Sequence, residues 1–356
     1  MKTLDRKFWW IFTPFFVLII VILLFPYLFT NFSWFGQDFS DTGEIGDTVG
    51  GIMGPYIAIV AAFLTFFAFW VQYKANEQQK HDLQIERFES KFYNMIDIHR
   101  QNVTEIVIGK SLVSRKAFIS MFNELKFLYL ATDQFLKTPQ QKDLIKSLTG
   151  SESISEENTF NIAYLIFFFG IGPNSTKLIL SLVDSRYSGI LLNLEVYLKG
   201  QQTIWRQEKK IAIDEKTYEG DSVFTLKTSY KPFNGHMSRL SHYIRHLFQL
   251  VKFIDDQPDR IINYNAKYNY ASTVRAQLSA HEQLLLYYNA LSSLGKPWFD
   301  KDKDYIKKYC MVKSMPIPLA DIYKKPLDLL PLKNEQGKVM FEWTEIQERM
   351  KTNMTK

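Results

Sequence analysis

Two long apolar segments occupy the beginning of the chain, residues 8–29 and residues 50–71. Neither segment contains a charged residue, and no Lys or Arg occurs between Phe8 and Tyr73. A helix of about 20 apolar residues is long enough to cross the hydrocarbon core of a bilayer. The pattern therefore predicts an N-terminal transmembrane hairpin over residues 1–72, with the lipid bilayer as a partner.

The charges that flank the two apolar segments predict how this hairpin is oriented. Three basic residues precede the first segment, Lys74 and Lys80 follow the second, and every charged residue in between is acidic. Basic residues are retained on the cytoplasmic side of membrane proteins. We therefore predict a multi-pass protein whose N- and C-termini both lie in the cytoplasm.

Small residues recur on one face of the second apolar segment. Gly50, Gly54, Ala58 and Ala62 follow each other at a spacing of four residues. Such a face lets another helix approach closely. It could pack against the first segment or against a second copy of the chain, so a homo-oligomer is one of two interpretations.

Beyond residue 72 the spacing of apolar residues is mostly typical of helices. Residues 73–109 predict a stalk helix that enters a soluble domain, because no Gly or Pro interrupts it before Gly109. Residues 110–356 predict an all-α cytoplasmic domain. Within that domain we expect helices over residues 112–136, 141–148, 236–255 and 264–294.

Two stretches of this domain depart from the amphipathic helical pattern. Residues 159–169 are strongly apolar but too short to span a bilayer, so they predict a buried core helix, with an approach to the membrane as the alternative. Residues 200–235 contain the alternating stretches KIAID and SVFTLK around a polar turn, which predicts a small inserted β-hairpin. The expected fold class is therefore mainly α.

The charge balance bears on the partners of the soluble domain. The whole chain carries +6, the N-terminal tail +2 and the loop between the apolar segments −4, so the segment from Tyr73 onward carries +8. A basic domain favours anionic lipid or nucleic acid. An acidic membrane surface beside the domain explains the same excess without any specific ligand. The single cysteine, Cys310, excludes an intrachain disulfide and agrees with a reducing compartment.

The helix predicted over residues 236–255 has a cationic face opposite its apolar stripe. On a helical wheel the five residues Arg239, His242, Arg245, His246 and Gln249 lie within about 120° of each other. The arginines oppose a bound cation, so we predict no metal site. A phosphate or RNA backbone is one interpretation of the face, because guanidinium groups bind phosphate in a forked manner. Ion pairs with acids elsewhere in the fold are the other.

A second group of candidate residues lies further along the chain. Ser279 and Glu282 form a capping box, which predicts a helix that starts directly after Ser279. His281 then lies in the first helical turn, and Arg275 lies just upstream. The pairs Arg275/His281 and Arg239/His246 resemble the loose R-x(4–6)-H signature of HEPN-type ribonucleases, which makes these four residues the catalytic candidates. Glu282 joins His242, Arg245 and Gln249 as a candidate binding residue.

Three phrases of the sequence carry a family resemblance. They are RFESKFYNMIDIHRQNV (87–103), GHMSRLSHYIRHLFQLVKFID (235–255) and RAQLSAHEQLLLYYNALSSLG (275–295). Together with the two apolar segments they resemble the putative phage abortive infection family of bacterial membrane proteins, up to about residue 320. The resemblance implies antiphage defence at the bacterial inner membrane and carries no catalytic residue with it.

Two mechanisms are compatible with this role. In the first, the cytoplasmic domain senses or binds a phage or host component and acts through the membrane or by clustering. In the alternative, the chain is a membrane-tethered HEPN-like ribonuclease that uses its Arg/His pairs and meets a phage protein or nucleic acid. The sequence contains no nucleophile elbow, zinc triad or phosphate loop. We therefore prefer the first mechanism, predict no cofactor, and leave open whether the protein is an enzyme.

Overall fold

The computed structural model describes residues 42–109, 112–217 and 220–342, together with positions 13, 16–17, 19–22, 24, 27 and 31. These single positions are all helical. They fall within or directly after the first predicted span, whose remaining residues lie outside the described ranges. Where the chain is described, it is mainly α-helical, as predicted, with two small antiparallel strand pairs.

Helix α1, Thr42–Thr104, is 63 residues long and contains the whole second apolar segment. It begins before the predicted segment, so that Glu44 and Asp47 of the predicted loop are helical. Among the described residues, a single helix, Met53–Thr104, is long and apolar enough to cross a membrane. Large apolar side chains of this segment are exposed, among them Phe66 at 68%. Exposed apolar area of this kind is favourable in lipid and costly in water.

The chain divides into two compact units, Met1–Gln84 and Ile85–Lys356. In the second unit, the end of α1 belongs to the hydrophobic core, with Phe88, Phe92, Ile96 and Val103 all buried. The boundaries that the sequence suggested after residues 72 and 109 stay predictions.

The second unit is built from helices of 10 to 22 residues and from shorter pieces. The longer helices are α2 Arg115–Leu136, α3 Pro139–Thr149, α4 Glu156–Phe169, α5 Pro173–Leu182, α6 Ser188–Glu208, α7 Met237–Asp255, α8 Tyr264–Arg275 and α9 Ala280–Leu291. Two four-residue helices, α10 Tyr305–Lys308 and α11 Pro326–Leu329, lie toward the end of the described residues. Helix α2 packs against both α4 and α9, and α7 packs against α8.

Helix α4 is the buried core helix that the short apolar segment predicted. The Ser155 Oγ accepts a hydrogen bond from the Asn158 N–H at its start, and Gly170 follows its last residue. Nine of its fourteen residues are buried. A helix that is apolar around its whole circumference is stable only when other elements enclose it.

The segment predicted as one helix over residues 264–294 is divided into α8 and α9. The division lies where the capping box placed it: Ser279 caps α9, and its partner Glu282 reaches back to the Ser279 N–H. Both bonds satisfy donors that a helix start leaves open.

The strand pairs confirm one prediction and correct another. Strands β3, Lys210–Thr217, and β4, Gly220–Lys227, form the predicted hairpin and take up most of the residues expected in its turn. Two further strands, β1 Val107–Ile108 and β2 Leu112–Val113, pair antiparallel. The helix expected from residue 112 therefore begins only at Arg115, because residues 112–113 bond to a neighbouring strand.

Two glycines allow the loop before α7 to approach the end of α4. A Cβ on Gly170 would lie 2.6 Å from the Asn234 carbonyl carbon, and a Cβ on Gly235 would lie 2.6 Å from the Phe169 carbonyl carbon. Both glycines have a φ of +82°. The His236 N–H donates to the Phe168 carbonyl at this junction. The start of α7 is therefore fixed by direct backbone contact with α4.

We expect Gly170→Ala to destabilise the fold more than Gly172→Ala. Gly172 also has a positive φ, +151°, but no atom lies within 4 Å of the position that its Cβ would take. The difference in the free energy of unfolding between the two variants isolates the steric cost at the junction. For overpacking this cost is about 1–3 kcal/mol. Denaturant unfolding of the full chain in detergent measures it, and equal free energies of unfolding would contradict the close contact.

Candidate functional site

Helix α7 carries most of the predicted site residues. Its buried side chains form the predicted apolar stripe: Leu240, Tyr243, Leu247, Leu250, Val251 and Ile254. This stripe anchors the helix in the core and leaves the polar residues at its flanks. The structure distributes those polar residues among different neighbours.

Arg239 and His242 line a cavity of about 350 Å³, here called the Arg239 cavity. The Arg239 Nε donates to the Val107 carbonyl at 2.8 Å, which fixes the guanidinium against strand β1. His242 is exposed. Asn102 and Glu105 line the same cavity. The cavity therefore presents a cation, an imidazole, an amide and a carboxylate, which suits hydrogen bonding to a polar partner.

His246 is turned away from this cavity. Its Nε2 donates to the Met95 carbonyl of α1 at 2.8 Å, and its ring centroid lies 6.2 Å from that of His99. A carbonyl oxygen only accepts, so the proton of the neutral ring lies on Nε2. Arg239 and His246, which the sequence suggested as a pair, thus have separate partners.

Arg245 and Gln249 complete the predicted cationic face. Arg245 is exposed and lines another cavity, of about 520 Å³, here called the Arg245 cavity. Gln249 is exposed and lines neither of these two cavities. The face predicted on the helical wheel is therefore divided between two cavities and the packing contact with α1.

Arg275 is buried and bonded to the backbone of the C-terminal segment. Its Nη1 donates to the carbonyls of Tyr309 at 2.8 Å and Cys310 at 3.2 Å, and its Nη2 donates to the Ser272 Oγ. A buried guanidinium needs such acceptors to offset its lost hydration. The structure thereby gives Arg275 a role in attaching residues 309–310 to α8.

His281 and Glu282 occupy the first turn of α9 in different surroundings. The His281 ring lies edge-on to Phe122 at 6.0 Å, and partial burial lowers the pKa of His281 below its usual value. Glu282 is fully buried, and its carboxylate accepts from the Tyr243 hydroxyl at 3.0 Å and the Ser279 N–H at 2.8 Å. Within the described residues no hydrogen bond joins Arg275 to His281. The catalytic and binding roles of these residues stay predictions.

His99 is a buried group whose importance the sequence did not indicate. Its side chain is fully enclosed, and neither ring nitrogen has a hydrogen-bond partner among the described residues. Its ring lies 5.2 Å from that of Tyr243. Burial, together with His246 and Arg115, lowers the pKa of His99 to about 4. His99 is therefore neutral near pH 7.

A buried carboxylate network at the start of α7 was also missed. Glu124 of α2 is fully buried and accepts hydrogen bonds from the Phe233 N–H at 2.7 Å and the Tyr230 hydroxyl at 2.5 Å. The His236 Nε2 lies 3.1 Å from the same carboxylate. More than a hundred residues separate Glu124 from these partners, so no local spacing indicates the network.

Comparison with protein families identifies the segment that contains α7. Residues 235–319 match the model of a family described as putative phage abortive infection protein. This match confirms the resemblance over that segment. It covers less than a quarter of the 356-residue chain and includes α7, α8 and α9. Comparisons with curated proteins and with solved structures give no match.

The match contains all the predicted catalytic and binding residues. They are Arg239, His242, Arg245, His246, Gln249, Arg275, His281 and Glu282. The phrase 87–103 lies outside the matched segment, and its share of the resemblance stays a prediction. In the described ranges no group of three His, Cys, Asp or Glu side chains is placed to hold a metal ion.

Titration of His99 should make stability depend on pH. Because its pKa of about 4 in the fold is below the usual 6.5, the unfolded chain binds a proton more readily. The contribution of the neutral His99 ring to the free energy of unfolding is complete above pH 6.5 and is lost as the pH falls toward 4. The loss is about 3 kcal/mol by linkage. Unfolding of the full chain at pH 7 and pH 4 measures it.

His99→Phe should reduce this pH dependence, since phenylalanine does not titrate. His81→Phe is the matched control, because His81 is exposed on the same helix. An equal reduction in both variants would assign the effect to groups other than His99.

Replacement of Arg275 should lower the stability of the fold, and any loss of phage protection should follow from that lower stability. We expect Arg275→Gln to lower the free energy of unfolding by about 3 kcal/mol, because buried carbonyls lose charged donors. Arg260→Gln, at an exposed position, should change it little. A variant Arg275→Gln that unfolds like the wild type yet loses phage protection would show a role beyond this attachment.

Proposed function

We propose that this chain is an antiphage defence protein of the bacterial inner membrane. Its cytoplasmic domain binds a phage or host component and acts through the membrane or by clustering. The observation that carries the proposal is the position of the family match. Residues 235–319 contain α7, and α7 lines the Arg239 cavity. Exposed polar groups in a cavity are suited to recognition.

Contacts between α7 and α1 support a route from recognition to the membrane. The Phe88 ring of α1 stacks on Phe253 of α7 at 5.1 Å, and His246 bonds to the Met95 carbonyl. The Arg239 cavity also contains Asn102, near the end of α1. A ligand that prefers one packing of α7 against α1 shifts the chain toward that packing. The same helix contains the apolar segment that we propose crosses the bilayer.

The membrane region in this proposal keeps two spans and two cytoplasmic termini. The charge distribution around residues 8–29 and 50–71 supports this orientation. Among the described residues, no atom lies within 4 Å of the Cβ positions of Gly50 and Gly54, and Ala58 and Ala62 are exposed. Small residues at these positions suit close helix contacts, and we propose that another copy of the chain makes them.

The geometry favours this function over the ribonuclease alternative. An Arg/His pair that acts on RNA needs both side chains at one phosphate. Here Arg275 donates to buried carbonyls, whereas His281 packs against Phe122. Arg239 and His246 bond to different backbone carbonyls.

Infection of cells that produce the full chain tests the proposal. We expect a lower efficiency of plaquing than in cells without the chain, and a loss of membrane potential before lysis. His242→Ala should raise the efficiency of plaquing at least tenfold, because His242 lines the Arg239 cavity. Lys252→Ala should protect like the wild type, since this residue of α7 lines neither described cavity.

The outcome also separates the two mechanisms. Protection with an intact membrane potential and degraded RNA would contradict action through the membrane and support the ribonuclease. Full protection by a variant with Gly54→Leu and Ala58→Leu would contradict clustering through the small-residue face.

A further inference from the structure

The hairpin of β3 and β4 is a sheet of only two strands, so each strand has a second edge that no described strand pairs with. On the β3 side, the Gln134 Nε2 of α2 donates to the Asp214 carbonyl, so a helix occupies this edge. On the β4 side, no backbone hydrogen bond from another described segment reaches residues 221–227. An open edge of this kind is a template for pairing with a further strand.

The Asp214 carbonyl also indicates which backbone groups of β4 point toward its open edge. Because this carbonyl bonds to Gln134, it points away from β4, and its cross-strand partner is Val223. In an antiparallel pair, facing residues either bond to each other or both point outward, and the two kinds alternate along the strand. The residues of β4 with outward backbone groups are therefore Asp221, Val223, Thr225 and Lys227.

The two faces of β4 have different surroundings. The four residues with outward backbone groups all have exposed side chains, and the apolar side chain of Val223 is 61% exposed. On the other face Leu226 is buried, and the Lys126 Nζ of α2 lies 5.2 Å from the centroid of the Phe224 ring. One face of β4 is thus attached to α2, which holds the open edge in place and leaves it accessible.

The two ends of β4 carry opposite charges. Asp221 lies beside the turn of the hairpin, and Lys227 is the last residue of the strand. Within the hairpin Lys227 faces Lys210. Like charges directly opposite each other in a sheet are unfavourable. A carboxylate on the open side of Lys227 would offset this repulsion.

An antiparallel β4 from a second copy of the chain supplies such a carboxylate. With Phe224 of both copies at the two-fold axis, Asp221 of each copy faces Lys227 of the other. The outward backbone groups then face each other along the whole strand and bond in pairs. Val223 faces Thr225, and β-branched side chains suit cross-strand packing. A register shifted by two residues keeps backbone bonds but separates the opposite charges.

We propose that β4 pairs antiparallel with β4 of a second copy of this chain, in the register centred on Phe224, so that two hairpins form one four-stranded sheet. A two-fold contact must be complementary to itself, and the charge order of β4 meets this condition. A strand of another protein has no reason to repeat that order. The proposal goes beyond the defence function and concerns a surface other than the small-residue face, because the hairpin belongs to the second unit.

Cross-linking of the purified full chain in detergent micelles tests the proposal. In the proposed register, the cysteine of Val223→Cys lies about 7–8 Å from its copy, and a bismaleimide with a spacer of that length should give a dimer. Ala212→Cys is the matched control, since Ala212 is exposed on the same face of β3 but lies three strand spacings, about 14 Å, from its copy. The native Cys310 is buried and should not react.

Charge reversal tests the register. Asp221→Lys and Lys227→Asp should each raise the dimer dissociation constant at least tenfold, because the symmetry places every altered residue in two charge pairs. The double variant should regain most of the affinity, since it exchanges the charges in both pairs. Asp214→Lys makes the same charge change on the exposed β3 and should stay within about threefold. All variants carry Gly54→Leu and Ala58→Leu, which removes association through the small-residue face.

Sedimentation equilibrium measures these dissociation constants without phage, so the outcome is separate from that of the infection assay. A full chain that stays monomeric would overturn the proposal and leave the edge to a strand of another protein. Equal cross-linking of Val223→Cys and Ala212→Cys would also overturn it, because the contact would then not involve β4. A double charge variant as weak as the single ones would contradict the register. If a charge variant fails to fold, the exposed Val223→Cys still decides the contact.

Discussion

An aromatic cluster at the end of α1 is the interaction on which the rest of the structure depends. Phe88 stacks on Phe253 at 5.1 Å, and the Tyr270 ring meets Phe88 at 4.9 Å and Phe92 at 5.0 Å. Each aromatic pair contributes about 0.5–1.5 kcal/mol beyond its buried area. The cluster joins three helices, α1, α7 and α8, so the orientation of α7 depends on a helix that also contains the apolar segment.

Buried charged groups then determine how the loops attach to this helical core. Glu124 binds the loop before α7, Glu282 binds the Tyr243 hydroxyl and its own helix start, and Arg275 binds residues 309–310. An unpaired charge in the interior costs several kcal/mol, so each of these groups requires its partners in place. Arg275, a catalytic candidate in the sequence, therefore also attaches the C-terminal segment to α8.

Helix α7 consequently lines both cavities and also buries one of its sides in the core. One side of it lines the Arg239 cavity beside the end of α1, and another lines the Arg245 cavity beside α9 and the turn that follows it. The family match begins at Gly235, where the backbone contacts α4 and where α7 is about to start. A ligand in the Arg239 cavity would act on a helix whose beginning contacts the backbone of α4 and which meets α1 at Tyr243, His246 and Phe253.

The sequence by itself determined the features that depend on local patterns. The uncharged stretch predicted the long apolar helix, the apolar segment 159–169 predicted a buried helix, and Ser279 with Glu282 predicted the start of α9. Alternating residues predicted the β-hairpin, although the strands extend further than expected. Hydrophobic periodicity and capping act between residues a few positions apart, so they can be read directly from the chain.

The tertiary structure alone decided which polar groups are free and which are enclosed. Arg239 and His246 share a helical face in the sequence, yet one bonds to β1 and the other to α1. The partners of Glu124 lie more than a hundred residues away, so no local spacing indicates them. Such contacts arise from packing between distant segments, and the free energy of burying a polar group depends on those neighbours rather than on its own position in the chain.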